Sequence, residues 1–203
     1  MKLVHIERLI DRGLFARSAE WKRIDSEIRD AIHRVRWPPG AGEFTIFPQS
    51  GKARGEGNGV VPIKRACMDA LRDLYRWDLE VRYRIGQGKG VGPIDAVRTV
   101  GKDRFALEWE TGNISSSHRS LNKMCLGMSQ ARLCGGALIL PTRGLYRFLT
   151  DRIGNWDEIV PYLPFWRNAV QADGVLAIYV VEHDAESTRA PRIRKGTDGR
   201  ALL

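Results

Sequence analysis

The sequence predicts an α/β protein, with a mixed central β-sheet flanked by helices on both faces. Three observations carry this. Stretches with apolar residues at helical spacing alternate with short, strand-length apolar runs. One run, Val175 to Val181, is apolar throughout, as expected of a central strand covered on both faces. Gly101-Lys102 separates two strand-like stretches, and Gly-X suits a two-residue hairpin turn.

In chain order, Leu3 to Phe15 has apolar residues at 3, 6, 9, 10 and 14, a helical spacing. Ser18 can cap a second helix running to about Val35, with Trp21, Ile24, Ile28, Ile32 and Val35 on one face. Trp37-Pro38-Pro39-Gly40 stops it. A short strand, Phe44 to Phe47, leads into a Gly-rich loop at 51–59. Pro62 suits the first turn of a helix whose stripe includes Ile63, Cys67, Leu71 and Leu74. Glu80 lies just past that helix, before a second Gly-rich run at 86–92.

Ile94 to Val100 and Asp103 to Glu110 then form the hairpin. With the turn at Gly101-Lys102, paired positions sum to 203, so Asp95 lies opposite Glu108. Alternation sends Phe105, Leu107 and Trp109 to one face, and Ala106, Glu108 and Glu110 to the other. Ser115 to about Ala131 is a helix with Leu121, Met124, Cys125 and Met128 along one side. Gly135 to Leu140 is a buried strand ended by Pro141. Leu145, Phe148 and Leu149 belong to another helix, with Asp151-Arg152 near its end, and Trp156 to Phe165 is short and Pro-broken.

At 203 residues the chain suits one domain, 1–203, with a short basic tail from about residue 187. No apolar run approaches the roughly 18 residues of a membrane span. Charge in Met1 to Arg8 falls where a signal peptide needs an apolar block, which suggests a cytoplasmic protein. Cys67, Cys125 and Cys134 have no CxxC spacing and read as reduced, mostly buried thiols. The net charge of +9 suits a polyanion partner. Nucleic acid is favoured over a membrane surface because the basic residues are dispersed; solubility alone is the plainer account.

Asp95, Glu108 and Glu110 form a D-x12-E-x-E pattern on adjacent strands. Acids sharing one sheet face repel each other, unless the face is solvated or a cation offsets the charge. Oxygen ligands of this kind suit Mg²⁺, and in a basic protein they point to metal-assisted phosphodiester cleavage. The alternative is an ordinary solvated hairpin face. From Glu110 the chain runs through Asn113, Ser115, His118 and Arg119 into a helix N-terminus, which attracts phosphate, and Asn and Arg can read adenine and guanine edges. The alternative there is an N-cap and a surface helix. His118 taken alone is a surface or packing residue. No spacing supports a zinc site, a Ser/His/Asp arrangement, a P-loop or a dinucleotide fingerprint.

Several segments together are more specific than the acids alone. They are Asn58-Gly59-Val60-Val61-Pro62-Ile63-Lys64, Gly92-Pro93-Ile94-Asp95, the run from Glu108 to Lys123, Leu149-Thr150-Asp151-Arg152, and Lys195-Gly196-Thr197-Asp198-Gly199. In this order the chain resembles the BamHI-type type II restriction endonucleases from about residue 37 to 199. The resemblance implies the PD-(D/E)xK fold group and a symmetric homodimer. It implies Mg²⁺, two per site and replaceable by Mn²⁺, and cleavage of double-stranded DNA at GGATCC after the first G, leaving four-base 5′ overhangs. It also implies a cognate DNA methyltransferase in the host.

By matching positions, Asp95 and Glu108 would bind metal, with the Trp109 backbone carbonyl and Glu80. Glu110, where most of the fold group has Lys, would be the base acting on the attacking water. Asn113, Ser115, Arg119, Asp151 and Arg152 would read the major groove, Lys64 would support the DNA contact, and Asp198 and Gly199 would approach the minor groove. Two departures stand out. The family continues into a basic C-terminal helix, whereas this sequence stops at Leu203, and Ser129-Gln130 replaces a Lys-His dimer contact. Met124, Cys125 and Met128 then serve either a more apolar subunit contact or the monomer core. A catalytically inactive DNA-binding module, and a junction-resolving or repair nuclease on the same fold, are the competing readings.

Overall fold

A computed structural model describes residues 1–50, 56–82, 92–150 and 153–195. Its frame is a six-stranded mixed sheet in the order β1-β7-β6-β5-β4-β3. The strands are β1 (Lys2–Arg12), β3 (Asp78–Val81), β4 (Ile94–Val100), β5 (Asp103–Trp109), β6 (Gly135–Pro141) and β7 (Gly174–Glu182). The β5–β6 and β6–β7 pairs are parallel, and the other neighbours are antiparallel. A separate pair, β2 (Thr45–Ile46) and β8 (Ala185–Glu186), runs parallel.

Alternation along the strands divides the core into two layers. Phe105, Leu107, Ala137, Ile139, Ala177 and Tyr179 face α2 (Ala19–His33) and α3 (Val61–Tyr75), which contribute Ile24, Ile28, Ile32, Cys67 and Leu71. Ala106, Leu138, Leu140, Leu176, Ile178 and Val180 face α4 (Ile114–Ser129), α6 (Trp156–Ile159) and α7 (Leu163–Ala169), which contribute Leu121, Met124, Met128, Ile159 and Trp166. This is the mixed sheet with two helical layers that the sequence predicts. Gly136 lets α4 sit close, because a Cβ there would overlap the Met124 side chain. Met124, Cys125 and Met128 are buried in this layer, which settles their role as monomer core.

The helix predicted over Leu3 to Phe15 is instead strand β1, followed by a short helix, α1 (Gly13–Arg17). Register shifts between Leu3 and His5 and between Arg8 and Ile10 explain the misreading. Each shift breaks the two-residue alternation, so the apolar positions imitate helical spacing. The helix expected around Leu145 to Leu149 shrinks to α5 (Arg143–Tyr146), with Phe148 and Leu149 in the following turn. Ser18 caps α2 as expected, its hydroxyl accepting the Trp21 N–H at 3.1 Å. Gly101, with φ of 58°, turns the hairpin, and the register is the expected one, Val100 opposite Asp103 and Ala96 opposite Leu107. No helix among the described residues is long and apolar enough to cross a membrane.

Loop segments converge on the fully buried Asn58. Its amide nitrogen donates to the carbonyls of Phe47 at 2.9 Å and Phe148 at 3.0 Å, and its side-chain oxygen accepts the Ile193 N–H at 3.1 Å. The Thr150 N–H donates to its backbone carbonyl at 2.9 Å. The stretch 187–195 is thereby laid against the body, with Ile193 buried and Lys195 Nζ donating to Thr150 Oγ1 at 2.9 Å.

Candidate active site

The last backbone pair of the β4–β5 hairpin before the strands separate is Ala96–Leu107. Asp95 and Glu108 come next in register. The Trp109 N–H donates to Asp95 Oδ2 at 2.8 Å, so a carboxylate takes the place of a ladder carbonyl where the strands part. Asp95, Glu108 and Glu110 line one pocket, together with Lys64, Lys123 and Arg119. As alternation predicted, Glu108 and Glu110 lie on the α4 side, because both bond to residues of that helix.

Two lysines compensate the acids from opposite layers. Lys64 of α3 donates to Asp95 Oδ1 at 2.5 Å. Lys123 of α4, itself buried, donates to Glu108 and, at 2.8 Å, to the Pro93 carbonyl. Burial, and next the nearby Asp95 charge, push Glu108 up to about 7 despite Lys123. Burial also pushes Glu110 up to about 7, partly opposed by hydrogen bonds from Ser117 Oγ and the Gly112 N–H.

Glu80 stands apart from these three. Its side chain is 64% exposed, its backbone takes the left-handed φ of 51°, and its carboxylate lies 3.7 Å from Lys64 in an adjoining groove. A non-glycine residue at such an angle is uncommon and worth noting beside an acid pocket. Among the described residues no group of three His, Cys, Asp or Glu side chains forms a ready-made cation site. The expected gathering of four acids is therefore three around one pocket and a fourth on its rim. The donor set, buried hard carboxylates whose repulsion is offset by ammonium groups, nevertheless fits a divalent ion such as Mg²⁺.

Asn113 is the N-cap of α4, although its side chain makes no capping bond. Asn113, Ser115 and Arg119 are exposed at the start of α4. Arg119 lines both the acid pocket and a neighbouring one bounded by Ser115, His118 and Tyr162. His118 packs its ring edge-on to Tyr162 at 4.6 Å and near Trp166 at 5.1 Å, the packing role expected of it. Asp151, Arg152, Asp198 and Gly199 lie outside the described residues. Of their neighbours, Thr150 is tied to Asn58, and Ile153 forms an antiparallel bridge with Asn113.

Two site residues escaped the sequence reading. Ser117 and Lys123 hold Glu110 and Glu108, yet a serine and a lysine on a helix read as solvent-facing. The available signal was that Lys123 closes the segment beginning at Glu108 and lies two residues after the core position Leu121.

The family model described as restriction endonuclease BamHI matches residues 1–200. The type II restriction enzyme OkrAI of Oceanobacter kriegii is 47% identical over 202 residues, covering 100% of both chains. The type II restriction enzyme BamHI of Bacillus amyloliquefaciens is 34% identical over 182 residues, covering 86% of this chain and 80% of its own. The restriction endonuclease BGLII, crystallised with a DNA 16-mer, matches with a TM-score of 0.62 at 13% identity, over 91% of this chain and 79% of its own, a likeness of fold. With its mixed sheet, its buried acids at the hairpin mouth and full-length similarity to these enzymes, the chain belongs to the BamHI family of type II restriction endonucleases.

Proposed function

We propose that this enzyme is a homodimer that cuts both strands of duplex DNA at GGATCC, after the first G, leaving four-base 5′ overhangs with 5′-phosphates. The observation that carries the reading is a pocket shared by Asp95, Glu108, Glu110 and Arg119, opening beside the exposed start of α4. Relatives named BamHI and OkrAI support the choice of site.

Asp95 and Glu108 would hold Mg²⁺, two ions per site and replaceable by Mn²⁺, with the Trp109 carbonyl and Glu80 completing the set. The ion, when bound, supplies Lewis acidity at the phosphate and charge neutralisation at the leaving oxygen. Glu110 takes the proton of the attacking water. It is suited to this because its pKa of about 7 lies near the working pH, and because two donors fix its orientation. Asn113, Ser115 and Arg119, with Asp151 and Arg152, read base edges in the major groove. Lys64 supports the DNA contact, and Asp198 and Gly199 approach the minor groove.

The exposed apolar side chains of Leu126, Val160, Tyr162 and Phe165, on α4, α7 and the turn between α6 and α7, support a covering second subunit. A two-fold dimer presents identical sites to the two strands of a palindrome. Such an enzyme works in the cytoplasm as one domain beside a methyltransferase that protects host DNA.

Digestion of a plasmid of known sequence with Mg²⁺, followed by sequencing of the ends, tests this. Discrete fragments ending in 5′-GATC are expected. A smear, an inert protein, or preference for a four-way junction over linear duplex would overturn it.

A further inference from the structure

Lys123 is buried to 7% exposure in the middle of α4. Lysine is seldom buried unless paired, because its ammonium loses its hydration. Here the ammonium has two partners, the Glu108 carboxylate on β5 and the carbonyl of Pro93, the residue just before β4 and two before Asp95. Those contacts lie where β4–β5 pairing ends, the point at which backbone hydrogen bonds no longer set the distance between the acid-bearing segments. The adjacent Asn122 accepts the Trp166 Nε1–H at 2.9 Å, pinning the same turn of α4 to α7.

We propose that Lys123 is a positioning residue for the nuclease reaction: it fixes the spacing of Asp95 and Glu108 by tying both strand ends to the helix that carries Ser115 and Arg119. This rests on the metal-dependent cleavage proposed above. Surface pairing cannot perform this role, since exposed ion pairs are loose and screened, whereas a buried ammonium with two fixed acceptors is a rigid link. A helix joined to the acids through Ser117 and Lys123, with Ser115 and Arg119 exposed on its first turns, also carries any change of its position to those acids. Ser117, which donates to Glu110 from the same helix, gives the link a second point of attachment.

The test compares wild-type protein with Lys123→Met, Lys123→Gln and Lys123→Arg. The readouts are duplex binding without divalent ion, the rise in Tm of the protein alone with Ca²⁺, and the Mg²⁺ concentration for half-maximal cleavage. In Met and Gln variants, duplex binding should stay within about 3-fold, while Ca²⁺ and Mg²⁺ requirements rise about 10- to 100-fold, as when a ligand's supporting partner is removed. Arg, which keeps the charge and both donors, should recover part of the loss. If the Met variant fails to fold, Gln decides, since it retains a donor for Pro93. Folded variants with wild-type metal requirements overturn the proposal, as does a lower maximal rate with no change in metal requirement. If wild-type protein does not cleave with Mg²⁺, the functional reading fails, and the Ca²⁺ response in Tm still decides the role of Lys123.

Discussion

Ser117, in the first turns of α4, donates its hydroxyl to one carboxylate oxygen of Glu110, while the Gly112 N–H donates to the other at 2.6 Å. Both bonds favour the ionised acid, and burial disfavours it more strongly, leaving Glu110 at about 7. Replacing Ser117 with Ala removes one of the opposing donors, so the Glu110 pKa rises further. The acid limb of the cleavage pH profile should then move to higher pH, with a loss of about 10- to 100-fold at neutral pH, the worth of a hydrogen bond to a charged group. Activity should recover at alkaline pH. An unmoved acid limb would argue against Glu110 as the base.

The raised acids also set a pH dependence of stability in metal-free protein. Glu108 and Glu110 have folded values of about 7 against an ordinary 4.5. Between these values the folded state holds protons that the unfolded state has released. Stability is therefore full below about 4.5 and declines as pH rises through about 7. Glu110→Gln, neutral throughout, should match wild type near pH 4 and exceed it at pH 8 by on the order of 1–3 kcal/mol. Denaturant titrations at the two pH values measure this, and a wild-type advantage at pH 8 would contradict it.

The acid pocket was legible in the sequence because strand alternation and a two-residue turn are rigid rules. Once Gly101-Lys102 is the turn, Asp95 and Glu108 must be neighbours, and Glu110 must share a face with Glu108. What surrounds the acids was less legible. Lys64 and Lys123 arrive from helices on opposite faces of the sheet, and no local pattern gives the depth at which a lysine ends. β1 shows the same limit in the fold. Its local spacing is helical, and only pairing with β7, over 160 residues away in sequence, makes it a strand. Tertiary pairing overrides periodicity there because two bulges absorb the mismatch.

Asn58 tests how far the loops around it depend on one buried side chain. Its side chain bonds to the Phe47 and Phe148 carbonyls and accepts the Ile193 N–H, joining three segments outside the main sheet. Asn58→Ala leaves these groups without that partner in the interior, at a cost of about 2–4 kcal/mol. Asn58→Asp keeps the acceptor for Ile193 but places a charge against two carbonyls, and should cost at least as much. Tm values of the two variants measure this. A loss below about 0.5 kcal/mol, typical of surface positions, would show that the loops are held by other contacts.

Variants of Arg119 and Asp95 should separate the proposed base reading from the proposed cutting. Arg119 is exposed at the start of α4, so Arg119→Ala should change stability by no more than about 0.5 kcal/mol. It should weaken binding to a GGATCC duplex by about 1–3 kcal/mol, the worth of a good base-edge contact, and narrow the gap between that duplex and a singly substituted one. Asp95→Ala should do the reverse, binding the duplex as wild type does while cleavage is lost, because Asp95 faces the acid pocket and is bonded to Lys64 and the Trp109 N–H. Titrations of both variants against the two duplexes, with Tm as the control for folding, distinguish these outcomes. If Arg119→Ala weakened both duplexes equally, Arg119 would be a phosphate contact instead, and the salt dependence of log K should then flatten by about 0.9 in slope.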